Sequence, residues 1–217
     1  INYGLGVPFH QLGTDILRSK SMDRNSYDSG DWYNMVDFTL ETDNWAIGLP
    51  PAWDNESNWE AQAEFMTNPN IDIRKEHMEF ANRVFRDQLR VRYSTPLMRI
   101  GDAEQIHQRV GYHNTGPNQI PGLILMTISD GSCTSGDLDP EFDGVLIVFN
   151  ADLESQEIDL GIDGLQLHPA LQDGSDQVVK ESVVNGGSVT VPPISASVFI
   201  KPQSGSQGSF PCNPVMD

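Results

Sequence analysis

Apolar residues follow three successive patterns along this 217-residue chain. The opening Tyr3-Gly-Leu-Gly-Val-Pro-Phe9 is a short apolar run punctuated by glycine, which predicts a buried strand presenting His10 and Gln11 at its end. Thr14-Asp15 then predicts the cap of a short helix through Leu17 and Arg18. Beyond it, Ser, Asp, Asn, Gly and aromatic residues continue without periodicity to about Pro69. A connection of that length inside a compact domain is either a functional loop or a linker, and its aromatic content argues against disorder. From Ile73 to about Arg92 the spacing turns helical, with Met78, Ala81, Phe85 and Leu89 on one face, arginines on the rest, and Thr95-Pro96 as the stop.

The remainder reads as all-β. Runs at Ile106–Tyr112, Gly122–Ile128, Gly144–Phe149, Gln156–Leu160, Val178–Val184, Ser188–Val191 and Ala196–Ile200 are divided by turn residues such as Asn114-Thr-Gly116 and Asn185-Gly-Gly187. They predict an antiparallel β-sandwich. Residues 203–217, rich in Ser, Gly and Pro, predict a flexible tail. One strand, a long loop, one helix and then a sandwich is the order expected at the end of a (β/α)8 barrel with an appended β domain. The expected fold class is therefore α/β plus all-β, with a barrel end over 1–98 and a β domain over 99–202.

Composition narrows the choice. With 38% hydrophobic and 20% charged residues the chain is that of an ordinary globular protein. Its apolar runs, such as Leu123 to Met126, are too short to cross a bilayer. The formal charge of −18 disfavours nucleic acid and anionic membranes as partners. Six of the thirteen basic residues crowd between Arg74 and Arg92, whereas Asp130 to Glu181 holds thirteen acids against Lys180 alone, which suggests two regions with different neighbours. The chain starts at Ile1, so any targeting segment is expected upstream of it. Cys133 and Cys212 fit no zinc spacing; two inert thiols are the expectation and a single bridge the alternative.

Four stretches carry a resemblance: Ile16-Leu-Arg-Ser-Lys-Ser-Met-Asp-Arg-Asn-Ser-Tyr-Asp-Ser-Gly-Asp-Trp-Tyr-Asn34, Asn44-Trp-Ala-Ile-Gly-Leu-Pro-Pro51, Arg92-Tyr-Ser-Thr-Pro-Leu97 and Val110-Gly-Tyr-His-Asn-Thr-Gly-Pro117. In this order they resemble the type I pullulanases and limit dextrinases of glycoside hydrolase family 13. The first stretch is similar to that family's loop after the eighth barrel strand. The resemblance implies retaining hydrolysis of α-1,6 linkages in pullulan, limit dextrins and related α-glucans, which uses two carboxyl groups roughly 5 Å apart. It also implies that the three catalytic acids, in an Arg-x-Asp motif, a separate Glu and a His-Asp-Asn motif, lie on earlier strands. No catalytic residue is therefore expected here, since Asp43-Asn44 and Asp54-Asn55 lack the preceding His and Arg86-Asp87 has the wrong spacing and reads as a surface pair.

The loop then becomes the candidate site. All four tryptophans, Trp32, Trp45, Trp53 and Trp59, fall in it with Tyr27 and Tyr33. Flat rings suit the C–H faces of glucose, and the bland alternative is a mini-core for a long loop. The expected substrate contacts are Lys20, Asp23, Arg24, Asn25, Tyr27 and Trp32. At Asn25 the family usually carries Asp, so a charge-assisted bond would become a neutral one. His10 reads as a substrate contact or as a locally satisfied imidazole, and His77, His107, His113 and His168 read as structural. Asp137-x-Asp139-x-Glu141-x-Asp143 reads as a solvated acidic loop, with structural calcium as the alternative and no cofactor required. The expected partners are α-glucan and the N-terminal catalytic part of the same enzyme. The competing class is a non-catalytic glucan-binding or scaffold module. A secreted or extracytoplasmic site is expected, with plastid or cytoplasm as the alternative.

Overall fold

The computed structural model describes residues 1–212 and divides them into two compact units, residues 9–85 and residues 1–8 with 86–212. The first unit is made of short helices and ordered loop: α1 (Gly30–Asn34), α2 (Ala52–Asn55) and α3 (Trp59–Met66), with 3-10 turns at Thr14–Ile16, Ser26–Asp28 and Glu56–Asn58. The expected short helix after Thr14 is thus a 3-10 turn, and the long loop is punctuated by short helices and 3-10 turns. The predicted amphipathic helix is α4 (Lys75–Ser94), whose residues belong in part to each unit.

The second unit holds α5 (Ala103–Arg109), α6 (Pro169–Gln172) and two antiparallel sheets. Its strands are β1 (Val110–Tyr112), β2 (Leu123–Ser129), β3 (Phe142–Asn150), β4 (Gln156–Asp159), β5 (Gln166–Leu167), β6 (Val183–Asn185), β7 (Ser188–Val191) and β8 (Ser195–Pro202). A five-stranded sheet has the order β1-β2-β3-β8-β5 and a three-stranded sheet the order β4-β7-β6. β3 pairs along its length with both β2 and β8. Val145 and Ile147 enter one core with Val91, Leu97 and Met98, while Leu146 and Val148 enter a second with Ile158, Val189 and Phe199. Burial on both faces explains why β3 reads as an unbroken apolar run and not as an alternation.

Several expectations change. Residues 3–9 form no strand; instead the buried Arg92 guanidinium donates to the carbonyls of Asn2 at 3.1 Å and Gly6 at 2.8 Å, and to that of Gly4. Those carbonyls thereby find partners without a ladder. Ile106–Arg109 is helical, capped by Asp102, whose carboxylate accepts from Gln105 N–H at 2.8 Å. Asp87 is buried and not a surface acid: it accepts from Ser175 N–H at 2.7 Å and from Arg90 at 2.8 Å. Arg109, fully buried, bonds the Asp130 carboxylate at 3.1 Å and the Gly136 carbonyl at 2.9 Å, so two arginines serve the interior. Cys133 and Cys212 form a disulfide with Cα atoms 5.8 Å apart, where free thiols were expected. Residues 203–212 are fixed against the β unit and bury Phe210; the rest of the expected tail, residues 213–217, lies outside the described residues.

Candidate functional site

Within the 9–85 unit, polar side chains set the loop's shape. Asp37 accepts from Thr39 N–H at 2.8 Å, Thr39 Oγ1 at 2.6 Å, Glu41 N–H at 2.9 Å and Thr42 N–H at 3.1 Å. These bonds, the Thr39 hydroxyl foremost, pull its carboxyl down to about 2. Arg18 donates to Asn34 O at 2.9 Å, Asn34 to Ser26 O at 2.8 Å, and Asn44 to Trp32 O at 3.1 Å. Six non-glycine residues hold positive φ here: Leu17 at 58°, Ser21 at 51°, Met22 at 61°, Leu40 at 60°, Asn44 at 67° and Ala46 at 54°. Left-handed backbone at such residues persists only where the surroundings over-determine it, and it concentrates at functional loops.

The candidate residues lie on this framework in two groups. Asp23 is buried, and its Oδ1 accepts from Asn55 Nδ2 at 2.9 Å while its Oδ2 has no hydrogen-bond partner. Asn55 is fully buried; it donates also to Pro51 O at 3.0 Å and accepts from Arg24 N–H at 3.1 Å. Arg24 is exposed and pairs with Asp54 through both guanidinium edges, one of them at 3.3 Å. Lys20 bonds Ser26 Oγ. Burial, with the Asp23 charge adding to it, pushes the Tyr33 phenol up, and its hydroxyl donates to Leu49 O at 2.7 Å.

The other group is aromatic and open to solvent. Tyr27 is 93% exposed, Trp32 65% and Trp53 57%, and Asn25 is exposed too. Trp32 lines an open hollow of about 400 Å³ with Asp31, Asn34 and Met35. Trp59 instead turns inward, donating from Nε1 to Pro50 O at 2.8 Å. The tryptophans thus split between mini-core and open surface. The unit offers the open rings of Tyr27, Trp32 and Trp53, and flat apolar faces suit the C–H faces of a neutral polyhydroxylated ligand.

Other candidates fall elsewhere. His10 stacks edge-on against Phe85 at 5.0 Å with its Nε2 unpartnered. Asp143 bonds Gly208 N–H at 2.6 Å and lies 3.7 Å from Lys201, and Asp139 accepts from Glu141 N–H at 3.0 Å. Among the described residues no cluster of three or more metal-ligating side chains forms, and no helix is long and apolar enough to cross a membrane. Sequence reasoning passed over Asn55, set aside as half of a false motif. Its signal is the Asp-Asn pair following Pro50-Pro51, two prolines that rigidify the entry to α2.

A polar-stapled aromatic loop followed along the chain by two antiparallel sheets matches a defined class. Residues 40–202 fit the family described as alpha-1,6-glucosidases, pullulanase-type, C-terminal, and the chain belongs to it. The relatives are pullulanases: pullulanase 1, chloroplastic, of Arabidopsis thaliana is 39% identical over 208 residues, covering 92% of this chain and 22% of the relative. The pullulanase of Klebsiella pneumoniae is 35% identical over 212 residues, covering 95% and 19%. Among solved structures, PulA from Klebsiella oxytoca superposes with a TM-score of 0.92 at 32% identity, over 100% of this chain and 21% of that one. The maltotriose complex of PulA from Klebsiella pneumoniae gives 0.89 at 35% identity, over 96% and 23%. The chain spans about a fifth of the length of these curated relatives.

Proposed function

We propose that this chain is the C-terminal segment of a pullulanase-type debranching hydrolase that cleaves α-1,6 linkages in pullulan, limit dextrins and related α-glucans with retention. The observation that carries this reading is the 39% identity to a pullulanase over 208 residues, nearly the whole chain. In this reading residues 1–98 complete the barrel, 99–202 support it as a β domain, and the catalytic acids reside in the N-terminal part. Lys20, Asp23, Arg24, Asn25, Tyr27 and Trp32 border the sugar. Tyr27 and Trp32 stack on glucose faces, and the buried Asp23 carboxylate holds its stretch of the loop in place through Asn55. The strong exposure of Phe9 and Leu12 fits an apolar surface that the N-terminal catalytic part covers. The acidic surface and the disulfide favour an oxidising, extracytoplasmic compartment, and the chloroplastic relative keeps a plastid as the alternative.

The test is reducing-sugar release from pullulan. The purified chain alone should release none, and mixing it with the separately produced N-terminal part should restore turnover. In that reassembled enzyme Trp32→Ala should raise KM roughly tenfold, the loss of about 1.4 kcal/mol of stacking. Hydrolysis by the chain alone would overturn the assignment of the catalytic acids to the other part.

A further inference from the structure

The segment after β8 is fastened to the β unit along its length without joining either sheet. Gly208 N–H donates to Asp143 at 2.6 Å, Lys201 Nζ to Ser209 O at 2.8 Å, and Thr127 Oγ1 to Pro211 O at 3.1 Å. Ser132 Oγ donates to Phe210 O at 2.8 Å and accepts from Phe210 N–H at 3.0 Å. The Phe210 ring is 4% exposed and fills a slot in the core between the sheets. Glycines make room along the path: a Cβ on Gly144 would strike the Phe210 ring, one on Gly111 would lie 2.8 Å from Cys212 O, and one on Gly131 would lie 2.7 Å from the Gln207 side chain. The strap is a fitted part.

Its hold is narrow, however. Residues 203–212 read Gln-Ser-Gly-Ser-Gln-Gly-Ser-Phe-Pro-Cys, so one aromatic ring supplies nearly all the apolar burial of a Gly- and Ser-rich segment that is costly to order. The covalent fastener is the Cys133–Cys212 disulfide, and both half-cystines are partly exposed, within reach of a reductant. A hollow of about 380 Å³ beside the strap, lined by Gly161, Ile162, Asp163 and Lys201 together with Ser209 and Phe210, leaves the ring room to swing out.

We infer that residues 203–212 are a redox-releasable latch: reduction of Cys133–Cys212 by a dithiol frees the strap and withdraws Phe210 from between the sheets. A thiolate of the dithiol attacks one sulfur of the bridge, and the other departs as thiolate and takes a proton. The reagent's second thiol then resolves the mixed disulfide. Two electrons and two protons pass to the protein, leaving two cysteine thiols and the reagent as its own disulfide. The vacated slot is an apolar opening over Gly144, which links the redox state of one bridge to the integrity of the whole β unit.

Hydrogen exchange of the intact chain, with and without dithiothreitol, tests the latch. Peptides covering 203–212 should exchange at least about tenfold faster after reduction, and the melting temperature of the β unit should fall by roughly 10 °C, as expected for opening a cross-link of 79-residue separation. Both changes should reverse on reoxidation. The Cys133→Ser/Cys212→Ser double variant should behave as the reduced protein whether or not dithiothreitol is present. Unchanged protection of 203–212 after reduction, or two reactive thiols in the unreduced chain, would overturn the latch. So would an equal drop in melting temperature when dithiothreitol is added to the double variant. Should that variant not fold, the exchange comparison on the unaltered chain decides by itself.

Discussion

His168 sits at the N-terminus of α6, buried among apolar residues, with Nδ1 accepting from Ala170 N–H at 3.1 Å. That bond places its proton on Nε2, which meets Ser94 Oγ at 2.9 Å, and the hydroxyl in turn donates to Val91 O at 2.8 Å. Both ring nitrogens are used only in the neutral form, and burial pushes the imidazole down to about 4. An unfolded chain takes up this proton near the ordinary histidine value of about 6.5. The unfolded state therefore binds more protons between these values, and the stabilisation is complete above about 6.5 and declines as pH falls toward 4. Urea unfolding should show about 2 kcal/mol of loss between pH 7 and pH 5 from this residue, and His168→Gln should remove that slope. An equal slope in the variant would assign it to other groups. The candidate loop is governed at the same scale: Asn55 spends its amide on Asp23, Pro51 and Arg24, so the shape of the proposed sugar contact depends on a residue that cannot itself reach the ligand.

Among the elements, α4 shows what a helical pattern conceals. Its apolar positions are legible by period, and the structure places the helix within two residues of the expected start and end. What period does not reveal is that Arg92 and Asp87 are interior, because a guanidinium or carboxylate is buried only when remote carbonyls and amides reach it, and remote partners leave no mark on local spacing. Arg92→Ala should cost about 3 kcal/mol and speed amide exchange in residues 2–8 by at least tenfold. Arg92→Lys should recover only part of this, since one ammonium cannot reproduce a planar fork on three carbonyls. Most β-strands were legible for the converse reason: turn residues punctuate them and their apolar runs are local. The apolar run at residues 3–9 misled, because a strand is defined by its neighbours and this segment has Arg92 in their place. The tail misled through composition, since Gly and Ser mark both loose linkers and backbones that lie close against a surface.

For the whole molecule, charge dominates. With 31 acids against 13 bases the folded chain repels itself, and the densest excess runs from Asp130 to Glu181, thirteen acids against Lys180 alone. Raising sodium chloride from low ionic strength to about 0.15 M should lift the melting temperature by a few degrees, through screening over a Debye length of about 8 Å. Calorimetry showing no change, or a fall, would mean that local ion pairs outweigh the net repulsion. The sheet order has a consequence for synthesis. β8 lies between β3 and β5 yet is the last strand among the described residues, so the interior of the five-stranded sheet is laid down after its neighbours. A ribosome that has produced β1 to β7 holds a β3 with one open side and two half-formed cores. Commitment to the folded state then waits for residue 202, and until that moment the nascent β3 edge is a surface for chaperones or for aggregation.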